Sequence, residues 1–305
     1  MTSSTTGLGR RRWVALVILA GLVSVPLVGL VLSRGPDVVP AHSGTPTVAP
    51  VSPSPSPPRP NKLVPKESGG ATKTIKVTFP DGYAARIAYP SDVGLAHLGV
   101  RPYAVAIIGT RLRQFYAPAG GEAEVAAGGP MIRRLTGNVT LWPGLPGPAA
   151  AVPPPVLLFA FKNWRIAMPD VELQMSFEER VGVARALHAR VTTDGYLILS
   201  ADPPVRLGTP RDIMSGMMLA PELWFGGLPD LMVVLVHTLN CRTDLPRLEG
   251  MAEHAFVEDA ARAGEEGRMV GAEFADACAS KDVYVAAGGP GDLVRHIRDT
   301  VRVKE

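Results

Sequence analysis

The sequence predicts an α+β fold, β-rich in its first half and mixed α/β in its second, behind a single N-terminal transmembrane helix and a proline-rich disordered stalk. Three observations predict it. Trp13 to Leu32 is a run of twenty residues without a charge. Ten prolines crowd residues 36–66, where no apolar face can form. From residue 72 onward short alternating segments take over, and a strong helix start follows at Ser176.

At 1.5 Å per residue, a helix over 13–32 spans roughly 30 Å, the thickness of a bilayer's hydrocarbon core. Arg10, Arg11 and Arg12 precede the run and Arg34 alone closely follows it. Positive charge stays on the cytoplasmic side, so residues 1–12 form a short basic cytoplasmic tail and everything beyond the span lies outside the cell membrane. The competing reading is a cleaved signal peptide, whose apolar region is usually shorter and ends at a small-x-small site. Here the passable site, Val39-Pro40-Ala41, lies beyond Arg34, which favours an uncleaved anchor held in the lipid bilayer by residues 13–32.

Residues 33–71 form the linker. Proline removes backbone donors and favours extended polyproline II, with a reach of up to ~3.1 Å per residue. Pro50-Val51-Ser52-Pro53 and similar spacings suit SH3-type ligands, but outside a membrane they act as a spacer.

Charge divides unevenly. The chain has 31 Lys+Arg and 28 Asp+Glu in 305 residues, yet from residue 72 onward acidic groups slightly outnumber basic ones. The folded part is therefore near neutral, and nucleic acid is not an expected partner.

The extracytoplasmic domain is expected over 72–305. Thr74–Phe79 and Tyr83–Tyr89 alternate apolar and polar around Asp81-Gly82, the pattern of a hairpin. Tyr103–Ile108 is a third strand, and Met131–Leu135 with Val139–Trp142 a second hairpin. The proline cluster at 143–155 marks a long loop or a subdomain seam. Val156–Phe161 and Trp164–Ala167 follow as strands. Ser176-x-x-Glu179 is a capping box, and Phe177, Val181, Ala184 and Leu187 recur on one helical face, with His188 and Arg190 suiting the negative end. Asp194-Gly195 ends that helix and Tyr196–Ser200 is a strand. Leu231–Val236 reads as a buried central strand. Glu249–Ala263 and Val270–Ala279 are expected to be helical, Val283–Ala286 extended, and Asp292–Val303 a closing helix with Leu293, Ile297 and Val301 inward.

Chemistry-bearing residues are few. Cys241 and Cys278 are both outside the anchor, and an oxidising compartment makes them a disulfide candidate. A catalytic cysteine is the rival, with His237 four positions before Cys241, but no family signature surrounds either thiol. His254 and Glu258 share a helix face at i, i+4, and two ligands do not make a metal site. Gly288-Gly289-Pro290-Gly291-Asp292 matches neither the dinucleotide fingerprint nor the P-loop, and Asp292 is a candidate cap. Ser215 lacks a nucleophile elbow. No cofactor, metal or catalytic residue is therefore expected. Met214, Met217, Met218, Trp224 and Phe225, set among glycines, are the candidate contact patch, because methionine and aromatic side chains make adaptable apolar surfaces.

These readings predict a single-pass membrane-anchored protein whose extracytoplasmic domain binds a protein or a cell-envelope component. The alternative is an anchored envelope hydrolase or thiol enzyme whose active site carries no recognisable motif.

Overall fold

The computed structural model describes residues 61–144, 153–171, 174–262 and 273–304. The chain divides into two units, and every described residue falls in Pro55–Glu305; the other unit, Met1–Ser54, lies outside them together with the expected anchor at 13–32. Among the described residues no helix is long and apolar enough to cross a bilayer. The architecture is sheet-rich α+β.

The described chain begins inside the region assigned to the linker. Asn61 is buried, with its side-chain amide donating to the carbonyls of Pro118 and Arg165 at 2.9 and 2.6 Å. Leu63 bridges Val100. Strand β1 (Glu67–Gly69) then pairs with β2 (Thr72–Thr78), so residues 61–71 belong to the folded unit. The proline count hid this, because the ordering groups are a single amide and a single leucine whose partners lie far along the chain.

β2 and β3 (Ala84–Pro90) form the expected hairpin over Asp81-Gly82, and the last strand, β19 (Arg302–Lys304), pairs with β3 to complete a four-stranded sheet. Short helix α1 (Leu95–Leu98) leads to β4 (Val100–Ile108) and β5 (Arg111–Tyr116), followed by α2 (Glu122–Ala126). β6 (Arg133–Arg134) and β7 (Val139–Trp142) are the second expected hairpin. β8 (Val156–Phe161) pairs with β7 from Val139↔Phe159 to Trp142↔Val156. The stretch 143–155 thus connects two neighbouring strands of one ladder. β9 (Trp164–Pro169) returns along β8.

Helix α3 (Phe177–Ala186) has the full capping box: Ser176 Oγ accepts from the Glu179 amide and the Glu179 carboxylate accepts from the Ser176 amide. It ends earlier than its periodicity predicts. Leu187 turns extended, and β10 (Leu187–Val191) pairs with β11 (Leu197–Ala201). The reason is visible in the burial. Leu187, Ala189 and Val191 are less exposed than His188 and Arg190, a period of two that overrides the helical pattern. Phe177, expected inward, is exposed, with the Arg133 guanidinium 5.0 Å from its ring centroid.

β12 (Val205–Leu207) pairs with β4, and β13 (Ile213–Met214) with β14 (Met217–Met218) form a short ribbon. β15 (Glu222–Gly227) and β16 (Leu231–His237) are a hairpin; Gly226 takes a positive φ there, and a Cβ would meet the Leu231 carbonyl oxygen at 2.2 Å. Helix α4 (Cys241–Arg262) starts earlier than expected and includes Pro246. β17 (Glu273–Cys278) is a strand where a helix was expected. Its alanines favour a helix locally, but each residue from Glu273 to Cys278 pairs with β18 (Val283–Gly289). Helix α5 (Gly291–Thr300) closes the fold on Val294, Ile297 and the following Val301, and its N-cap is Pro290, not Asp292.

The large sheet runs β17-β18-β16-β15-β4-β5-β9-β8-β7-β6, with β12 added on β4, and every recorded pairing is antiparallel. β16 explains why its sequence is apolar throughout. Met232, Val234 and Val236 face a core built with α4, while Leu231, Val233 and Leu235 face the four-stranded sheet and α5. Both faces are covered, so polar alternation would leave unpaired groups inside. Each such side chain contributes about 1.5–3 kcal/mol on burial. A third core packs β4, β5, β8 and β9 against α3 and the β10–β11 hairpin.

Candidate functional site

The state of the cysteines decides whether thiol chemistry is available. Cys241, at the start of α4, and Cys278, at the end of β17, are joined in a disulfide with their Cα atoms 5.7 Å apart. Cys241 is fully buried and no free cysteine is present among the described residues. In this state neither sulfur is a thiolate, so neither serves as a nucleophile.

The candidate contact patch is corrected by burial. Met218, Trp224 and Phe225 are 2%, 1% and 0% exposed. Met214 and Met217 are half-buried and pack on the α4 core. The glycine-flanked stretch is β14 and β15, interior elements whose alternate residues serve two cores. The segment was read as surface from its methionines and aromatics set among glycines, and nothing local in it announces that two cores cover it.

Beneath α4 those residues belong to a buried polar cluster. Glu222 is 2% exposed and its carboxylate accepts from the Trp224 indole N–H at 2.5 Å. Burial pushes its carboxyl up to about 8, and the nearby Glu258 carboxylate pushes the same way. The Tyr103 ring stacks on Trp224 at 4.5 Å, and its hydroxyl is buried without a hydrogen-bond partner. Arg262 lies over the Tyr116 ring, 3.4 Å from its centroid, and pairs with Glu258 at 2.5 Å. Burial works to raise the Glu258 carboxyl, but His254 and Arg262 together outweigh it and hold it below its ordinary value. The His254 ring nitrogen stands 3.1 Å from Glu258 and 2.8 Å from the Gln114 amide. The expected His254–Glu258 pair is therefore real geometry within α4, and the contacts to the sheet are those of His254 with Gln114 and Arg262 with Tyr116 on β5. Among the described residues no group of three or more His, Cys, Asp or Glu side chains is placed to hold a metal. Arg101 and Asp259 do similar work next door: the guanidinium donates to Asp259 at 2.9 Å and to the Gly226 carbonyl at 2.8 Å, and Asp259 accepts from the Leu228 amide.

The opposite situation holds on the outer face of the four-stranded sheet. Beside that row of strands, where the four-stranded sheet meets the β17–β18 turn, a cleft of about 490 Å³ is lined by Lys76, Arg86, Lys281, Lys304, Tyr83 and Asp282, with Ala85 and Val303 among the small residues between them. The register sets three cations in line: Lys76 pairs with Arg86 on β2–β3, and Arg86 with Lys304 on β3–β19. Like charges directly opposite one another across a ladder are destabilising. The acidic groups nearby are Asp282 in the lining, Asp81 beside Tyr83, and Asp194, which is exposed and forms an ion pair with Lys76 at 3.7 Å.

Tyr83 forms one wall. Burial raises its hydroxyl above its ordinary range, helped by Asp282 and Asp81, so it stays a donor. Its ring stacks on His237 with centroids 4.0 Å apart, and Asp81 holds His237 Nδ1 at 2.6 Å. Sequence reasoning weighed His237 as the neighbour of a catalytic Cys241, and the structure gives it Asp81 as its partner instead. Its partner lies 156 positions away, and only the β2–β3 turn meeting the end of β16 brings them together. Ser215 is in a two-residue turn of the β13–β14 ribbon at positive φ, and no hydroxyl or thiol is recorded bonded to His237 among the described residues. A second cleft, about 300 Å³, lies between α4 and β17–β18, where Phe256 and Phe274 pack beside Glu249, Glu253 and Asp276.

No family model, no curated protein and no solved structure matches the chain.

Proposed function

We propose that the chain is a single-pass membrane-anchored protein, N-terminus inside, whose folded unit binds a cell-envelope component through the cleft of the four-stranded sheet. The observation that carries this reading is the cleft itself, an exposed concave face whose cationic side chains no interior packing requires. The sequence adds the uncharged run 13–32 with its preceding arginines and the proline-rich 36–66. The disulfide fits an oxidising side of the membrane.

A hydrolase is the second reading, and one observation favours it. The Asp81–His237 pair beside the cleft has the geometry of a carboxylate-held imidazole, the arrangement that orients a general base.

Two measurements test these readings. In intact cells, a membrane-impermeant maleimide is expected to label Ser200→Cys, an exposed position of β11, because the native cysteines are disulfide-bonded and Cys241 is buried. Labelling only after lysis would overturn the placement outside. Purified full-length protein in detergent is expected to co-sediment with envelope fragments. His237→Gln should leave that retention unchanged; release of soluble fragments by the native protein and not by the variant would instead establish the hydrolase.

A further inference from the structure

We infer that the cleft recognises repeated oxyanions: its ligand is an extended phosphate-bearing envelope polymer, held along the line Lys76–Arg86–Lys304. This rests on the binding role proposed above and names the chemistry of the same face.

The argument begins with placement. Three adjacent strands each present one cation at the same level of the sheet. Neighbouring strands are roughly 4.8 Å apart, so the line extends about 10 Å. One tetrahedral anion reaches two of these groups at most, whereas a chain with successive charges reaches all three. Lys281 and Asp282, adjacent in the lining, carry no net charge between them, so the row of three sets the sign of the cleft. Tyr83 supplies a hydroxyl donor on the same wall.

Energetics point the same way. Cross-strand like-charge pairs weaken the sheet, and Arg86 faces two of them. The inner positions of the same strands, Ile75, Val77 and Ile87, are buried and fix the register, so the cations cannot slip apart without exposing that core. A polyanion laid across the strands replaces the repulsion with attractions to Arg86 and Lys304, and competes with Asp194 for Lys76. The folded part as a whole is near neutral, which makes this a local segregation of charge and not a generally basic surface. A lone arginine or lysine on a strand is ordinary; three in register across neighbouring strands, beside a concavity, are not accounted for by packing.

The test uses full-length protein in detergent. A short linear polyphosphate is titrated by calorimetry, with inorganic phosphate, duplex DNA and neutral dextran as the other arms. Saturable polyphosphate binding is expected, at least tenfold tighter than inorganic phosphate. Log K should fall with log salt at a slope of about −2, the value for three neutralised charges on a flexible chain. The Arg86→Gln/Lys304→Gln double variant should bring that slope to about −0.7, and Arg134→Gln, on β6 of the other sheet, should leave it unchanged. Circular dichroism of the double variant controls for folding. Duplex DNA binding as tightly as polyphosphate, or an effect of Arg134→Gln equal to that of the double variant, would show diffuse charge and overturn the site.

Envelope co-sedimentation separates this inference from the reading beneath it. Retention that polyphosphate competes away, and that the double variant loses, supports both. Retention that survives both treatments overturns the oxyanion site and keeps the binding role. Polyphosphate binding without envelope retention supports the site and removes the envelope role. Loss of both removes both.

Discussion

Two regions of this molecule hold charge in opposite ways. Beneath α4, Glu222, Glu258, Arg262, His254, Arg101 and Asp259 are packed against aromatic rings and against each other, and opposite signs meet at 2.5–3.1 Å. On the outer face of the four-stranded sheet, Lys76, Arg86 and Lys304 stand in register with the same sign and face solvent. In the interior an unpaired charge is costly, so paired geometry there is explained by folding alone. At the surface water screens charge, and a mild repulsion can be kept where a ligand will meet it. The comparison separates a polar cluster that builds the fold from a polar cluster that is available to something else.

The largest effect is expected from breaking an interior pair. Asp259→Ala leaves the Arg101 guanidinium buried without its carboxylate and removes the acceptor of the Leu228 amide. A loss of about 3–5 kcal/mol in urea denaturation is expected. The Arg101→Met/Asp259→Leu double variant should recover much of it, since no charge is then stranded. Equal losses in the single and double variants would mean that the pair itself, and not the stranded charge, sets the stability.

Glu222 sharpens the comparison through pH. Its carboxyl is raised from 4.5 to about 8, chiefly by burial. Between those values the folded state keeps a proton that the unfolded chain has released. The stabilisation is therefore complete below about 4.5 and is lost as pH rises through about 8. Glu222→Gln keeps an acceptor for the Trp224 indole and removes the titration. At pH 9 the variant should be about 2–4 kcal/mol more stable than the native protein, with no difference expected at pH 4. A parallel pH dependence in the two proteins would place the titrating group elsewhere.

How much of this was legible in the sequence follows the same division. Where apolar residues decide an element, local pattern sufficed. The run Leu231–Val236, the hairpin around Asp81-Gly82 and the capping box at Ser176 are all found where expected. Where a polar residue points inward, the pattern broke. β5 was missed because Arg113, on the same face as Phe115, is fully buried beside Asp170, which lies in another strand's exit. β15 was read as surface from the aromatics and glycines of its stretch, which do not announce that both of its faces are covered. β17 and β19 were taken for helix, since pairing with β18 and β3 is a long-range fact that alanine and basic residues do not announce. The cleft was illegible for that reason. Lys76, Arg86 and Lys304 look unrelated until β19 is known to be a strand and its register on β3 is fixed.

The smallest expected effect is the one that tests the surface side of the comparison. Arg86→Glu turns two like-charge contacts into two opposite-charge ones, toward Lys76 and Lys304, without touching the buried face of β3. Stability should rise by about 0.2–1 kcal/mol at low salt. The gain should shrink as ionic strength grows, because the charges are exposed and a Debye length of about 3 Å at molar salt screens them. The same variant should lose polyphosphate binding. A protein that gains stability while losing a ligand is the signature of a residue kept for binding, as the natural arginine would then cost the fold something that only an anion restores. If Arg86→Glu is instead less stable at low salt, the row contributes to the sheet in a way that like-charge register does not explain, and the distinction between the two regions fails at this point.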